Sequence, residues 1–232
     1  MIGLTFGAFT DALAQIRDPA FRRVLGLGLG LTVVLLVAIY GLFLWLLNAW
    51  IPDETVLPLF GEVTWVNDIL TGTSLFFMLI LSVFLMIPVA SAFTGLFLED
   101  IADAVERKHY PQLPGVSRVP WGDVIRDTLN FLGLLLVANV VALFLYVLFP
   151  PTALFIFWGV NGLLLGREYF QMVAMRRVGR EKAKAARKRH AATIWIAGTL
   201  MAMPLTVPIL NLVIPILGVA TFTHLYHRLE KS

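Results

Sequence analysis

"RDPAFRRVLGLGLG", residues 17–30, sets two adjacent arginines just ahead of a long apolar run, and their planar guanidinium forks suit a tetrahedral oxyanion. Asp18 is placed to cap a helix that starts at Pro19. A carboxylate accepts from the orphan amides of a first turn, and proline tolerates that position. Arg22 and Arg23 then stand one turn in, where exposed amides add partial positive charge. The same pair is also a common mark of the cytoplasmic edge of a membrane span. Spacing alone leaves both readings open.

"GLFLEDIADAVERKHYP", residues 95–111, turns from apolar chain into a charged helix within five residues. Leu98, Ile101, Ala102 and Val105 form one apolar stripe. Glu99, Asp100, Asp103, Glu106, Arg107 and Lys108 are expected to point away from it, with Asp103 and Arg107 paired four apart. Pro111 should stop the helix. One reading is a solvated extension of a span. The other gives Gly95 a close backbone approach to a helix or ligand and pairs Glu99 with a nearby arginine, since an unpaired carboxylate at a membrane boundary is costly.

Residues 176–190 carry eight Lys or Arg and one acid, a segment expected to attract anionic lipid headgroups. No aromatic interleaving accompanies them, so no nucleic-acid partner is expected. In "VPILNLVIP", residues 207–215, Pro208 and Pro215 free backbone carbonyls, and Asn211 can satisfy one or face a water-filled path. His224 and His227 lack a carboxylate at metal-binding spacing and read as interfacial side chains, so no metal is expected. There is no phosphate-binding glycine loop, nucleophile elbow or zinc-binding helix motif. Neither an enzyme nor a cofactor is therefore expected.

What must position these groups is a membrane fold. The chain is 59% hydrophobic and 14% charged, with a mean hydropathy of +0.83, against about 25% charged in soluble domains. It has no cysteine, so no disulfide or thiolate chemistry. No basic stretch opens it, so a cleavable leader is not expected. Instead Phe6, Phe9, Leu13 and Ile16 form the stripe of an amphipathic helix within residues 1–23, lying in the membrane surface.

Four uncharged runs follow. Residues 24–51 and 69–98 are long enough to span, the second with a kink at Pro88. Residues 128–166 break at Pro150-Pro151, and residues 191–223 break at Pro208, leaving arms too short for comfortable crossing. These read as two helical hairpins that enter only part-way, with ordinary short spans as the alternative. All eighteen Lys and Arg lie in residues 1–23, 99–127, 167–190 or 224–232, while residues 52–68 carry only acids. The acidic loop therefore belongs outside and the basic segments inside. The expected fold is an all-α integral membrane protein: an amphipathic N-terminal helix, two long transmembrane helices and two partly penetrating hairpins.

The arginine pair, "GLFLEDIAD" after the second run and "PILNLVIP" near the C-terminus resemble, in order and spacing, the CysZ family of bacterial sulfate permeases within the etoposide-induced-protein domain superfamily. The resemblance implies sulfate uptake across the inner membrane for cysteine synthesis, the same helix-and-hairpin fold, and a homo-oligomer. It implies sulfate at Arg22 and Arg23 and a part in the conduction path for Glu99. Thr32 stands where enterobacterial members carry asparagine, and the segment after "REYF" is more basic than theirs. A structural or lipid-organising membrane protein, or a permease for another small solute, stays open beside this reading.

Overall fold

The computed structural model describes residues 2–50, 55–57, 61–63, 76, 89, 97–116 and 119–231. Helix α1 (Ile2–Ala14) is followed by α2 (Pro19–Trp50), which starts at the proline, with Asp18 Oδ1 accepting from the Ala20 amide at 3.0 Å. A small antiparallel hairpin pairs Thr55–Leu57 with Gly61–Val63. Most of the second long run lies outside the described residues, as do the proposed kink at Pro88 and Gly95. Helix α3 (Leu98–His109) ends two residues before Pro111, as expected.

The two hairpins are present. Helices α4 (Trp121–Leu148) and α5 (Ala153–Val178) are joined by a 3-10 turn at Pro150–Thr152. Helix α4 starts seven residues before its uncharged run, so it adds about two turns that carry Asp123, Arg126 and Asp127. Gly179, at φ +77°, breaks the chain between α5 and the basic helix α6 (Arg180–Arg189), a conformation suited to glycine. In the second hairpin, α7 (Ala191–Ala202) and α8 (Ile214–Leu229) are separated by 3-10 segments at Met203–Thr206 and Pro208–Leu212. The break is wider than the expected bend at Pro208. Pro204 and Pro208 each lack an amide donor, so the α-helical ladder fails at both.

The hairpins pack on each other through glycine. A methyl on Gly166 would sit 2.6 Å from the Ile194 carbonyl, and one on Gly198 would collide with the Gly162 carbonyl. Helices α5 and α7 thus touch backbone to backbone. Helix α8 is the centre of the buried core, with α1, α3 and α5 around it. Phe21, Phe170 and Phe222 are all but fully buried there. Helix α1 gives this core its small face, Ala8 and Ala12, and leaves Phe6, Leu13 and Ile16 exposed. Of the apolar stripe expected at the membrane surface, Phe6, Leu13 and Ile16 therefore point outward, while Phe9 is partly buried against the core.

Elsewhere the apolar surface is bare. Residues Pro19–Phe43 and Trp121–Leu148, 25 and 28 residues long, are long and apolar enough to cross a membrane. Val37, Leu136 and Phe144 are 65%, 66% and 65% exposed. Water tolerates no such continuous patch, so lipid is their solvent. This is an all-α membrane protein.

Candidate functional site

The arginine pair sits where its local sequence puts it. Phe21 and Val24 turn into the core, which leaves Arg22 and Arg23 exposed on the other side of the first turns of α2. Neither makes an ion pair among the described residues. Asp18 takes the Ala20 amide and lies 3.7 Å from Lys108 Nζ at the end of α3. Burial opposes its charge, but the Ala20 amide, Gln15 and Lys108 together hold its carboxyl below the usual value. With that amide occupied and no N–H on Pro19, an anion here depends on the guanidinium groups more than on backbone donors.

Helix α3 departs from expectation at its charged positions. Glu106 does not face water: its side chain is 5% exposed and is met by two arginines and a histidine. Arg177 Nε donates to Oε1 at 2.8 Å and Arg177 Nη2 to Oε2, while His227 Nε2 lies 2.9 Å from Oε1 and Arg176 Nη2 3.6 Å from Oε2. Burial pushes this carboxyl up, but the His227 and Arg177 hydrogen bonds and the two arginine charges outweigh it and hold it down at about 2. The geometry explains the miss. Position 106 is four residues after Ala102 and so shares the buried stripe. Asp103 likewise pairs with Arg176 rather than with Arg107.

These contacts correct two further readings. Arg176 and Arg177 are the inner end of the basic segment and are bound to α3, with Arg177 Nη1 also donating to the Pro114 carbonyl at 2.7 Å. Only the later part of that segment presents cations outward, at Lys182, Lys184, Lys188 and Arg189. His224 and His227 are not interfacial but buried, at 1% and 6% exposure. His224 Nδ1 lies 3.1 Å from the Tyr110 hydroxyl, and Tyr110 stacks on His227 at 4.5 Å. Burial, then the nearby His109, pushes the His224 imidazole down to about 4. The carboxylate partnering His227 comes from 121 residues away, beyond the reach of spacing rules.

Glu99 has an exposed side chain at the start of α3, and its carbonyl accepts from Arg176 Nη1 at 3.2 Å. It borders a cleft of about 270 Å³ between the starts of α3 and α4 and the charged half of α5. The structure does not join Glu99 to Arg22 or Arg23 by any bond among the described residues. Asn211 lies half-buried in the 3-10 segment between α7 and α8. Thr32 is fully buried and bonds the Gly28 carbonyl one turn back at 2.7 Å.

No match emerges among curated proteins or among solved structures. The model of one family, described as Sulfate transporter CysZ/Etoposide-induced protein 2.4, matches residues 8–215, from within α1 to the second residue of α8. With two glycine-packed hairpins, bare apolar helices and a family match over most of its length, this chain belongs to the sulfate transporter CysZ/etoposide-induced protein 2.4 family.

Proposed function

We propose that the chain is a sulfate permease of the bacterial inner membrane, supplying sulfur assimilation, and that Arg22 and Arg23 hold the anion at its cytoplasmic mouth. The observation that carries this reading, beside the family, is a contrast in arginine use. Arg176, Arg177 and Arg228 are all committed to carboxylates. Arg22 and Arg23, like Arg17, Arg107, Arg126 and Arg189, are exposed with no ion pair among the described residues, and they stand side by side at the start of a long apolar helix. A dianion is expensive to dehydrate, so its path must replace water with charge-assisted donors while keeping binding weak enough for release. Glu99 and Asn211, with Gly95, are proposed to border the path.

Flux of labelled sulfate into proteoliposomes tests the reading. Uptake above that of empty vesicles is expected. In the Arg22→Ala/Arg23→Ala variant sulfate affinity should fall at least about tenfold, as charge-assisted hydrogen bonds contribute about 1.5–3 kcal/mol each. Flux equal to empty vesicles in either orientation overturns the function, and unchanged affinity in the variant removes the arginines from the site. The exposed cations of α6 are proposed to meet anionic headgroups, at about 1 kcal/mol per basic residue. The protein is proposed to work as a homo-oligomer.

A further inference from the structure

The cleft beside Glu99 has a chemistry that neither sulfate nor an anionic lipid headgroup satisfies. Its walls carry both signs of charge: Asp127 and Glu168 on one hand, Arg167 on the other. Its floor holds Gln171, which is 2% exposed and whose Nε2 has no hydrogen-bond acceptor. Arg187 Nε donates to Gln171 Oε1 at 3.2 Å, which fixes the orientation of the amide and leaves Nε2 as the end without a partner. A buried N–H left unmade costs about 1–3 kcal/mol, so an acceptor at this point is worth having. The lining also includes Glu99, Thr128 and Tyr169, and Phe131 and Met172 lead its apolar part.

Charge decides the class of ligand. Asp127 and Glu168 both border the cleft, Glu168 as an exposed residue. Neither carboxylate forms an ion pair within 4 Å among the described residues. Arg167 spends one nitrogen on the Asn130 carbonyl at 3.3 Å and lays its plane over Phe131, so further donors remain. A simple anion would meet three carboxylates, Glu99, Asp127 and Glu168, and a simple cation would leave the Gln171 amide unmet and face Arg167. We propose that this cleft binds a small zwitterion with an apolar side chain, an apolar α-amino acid. Its ammonium faces Asp127 and Glu168, its carboxylate meets Gln171 Nε2 and Arg167, and its side chain lies on Phe131 and Met172. Such a ligand sits against Glu99 and is positioned to alter whatever Glu99 does. The binding claim does not rest on sulfate transport.

Isothermal titration of the full-length protein in detergent, with L-leucine as probe, tests it. Saturable binding is expected, with 4-methylpentanoate (no ammonium) and 3-methylbutylamine (no carboxylate) each at least about tenfold weaker, the worth of one charge-assisted contact. Gln171→Leu should weaken leucine by a similar factor. Gln171→Glu keeps the acceptor for Arg187 but turns the free end from donor to acceptor, and should weaken it at least as much. Thermal melts check that each variant is folded, and Asp127→Asn replaces any that is not. No leucine binding up to about 10 mM, equal affinity for either analogue, or unchanged affinity in the folded variants overturns the proposal.

Discussion

Replacing Glu106 with glutamine keeps the shape of the side chain and removes one charge from a buried cluster. Arg176 and Arg177, with side chains 6% and 12% exposed, would then face a neutral amide. Breaking a buried ion pair by removing one partner costs about 3–5 kcal/mol. Arg177 keeps the Pro114 carbonyl and Arg176 keeps Asp103, so the loss should fall at or below the low end, about 2–3 kcal/mol. For a chain of this size that corresponds to a fall in melting temperature of about 4–12 °C. Intrinsic tryptophan fluorescence of the purified protein, which has six tryptophans, reports the transition. Glu99→Gln, on the same helix but exposed, is the control and should melt within about 1 °C of the parent. The folded carboxyl is held at about 2, below its ordinary 4.5. The stabilisation from its charge is therefore complete above about pH 4.5 and lost as pH falls toward 2. A Glu106→Gln protein that melts within about 1 °C of the parent at neutral pH would refute the assignment of this cluster as the clamp between α3, α5 and α8.

The His224 imidazole is held at about 4 against an ordinary 6.5. The unfolded chain thus binds a proton that the folded one refuses, and stability should fall by up to about 3 kcal/mol as pH drops from 6.5 to 4; His224→Gln should flatten that part of a melting-temperature profile, and an unchanged slope would count against it. Gly198→Ala sets a methyl against the Gly162 carbonyl and should cost about 1–3 kcal/mol, read as a lower melting temperature. Changing Lys182, Lys184, Lys188 and Arg189 together to glutamine should remove up to about 4 kcal/mol of affinity for anionic vesicles at low salt. Equal vesicle binding would take α6 off the lipid surface.

Much of this architecture could be read from the chain because bilayer thickness and charge act on long, uniform runs. The start of α2 at Pro19, the end of α3 before Pro111 and the Pro150-Pro151 turn all follow from local rules about caps and proline. The clamp could not be read. Glu106, Arg176, Arg177 and His227 lie 70 to 121 residues from one another's bonding partners, and nothing in the spacing of a charged helix says which carboxylate is turned inward. The stripe itself held the one available signal, because a residue four after a buried alanine lies on the same face. The cleft was hidden for a similar reason: Asp127, Glu168 and Gln171 look like ordinary ends of spans until α4 and α5 are laid side by side.

The depth of the first hairpin can be argued from its shorter arm. Helix α4 offers an uncharged stretch from residue 128 to 148, about 31 Å at helical rise, enough by itself to cross a core of about 30 Å. Helix α5 is uncharged only from residue 153 to 166, about 21 Å, before Arg167 and Glu168 must reach the surface. Both arms share the turn at Pro150–Thr152, so the short arm sets the depth and α4 must tilt or emerge early. The second hairpin is tighter still, since α8 has ten residues, about 15 Å, between Ile214 and His224. The chain contains no cysteine, so single substitutions report cleanly. Thr152→Cys and Thr206→Cys should resist a membrane-impermeant maleimide added to the periplasmic side of intact cells, while Thr55→Cys in the acidic loop should react. Labelling of Thr152→Cys at the rate of Thr55→Cys would mean that the first hairpin crosses fully, and the permeation path drawn through partly inserted hairpins would fall with it.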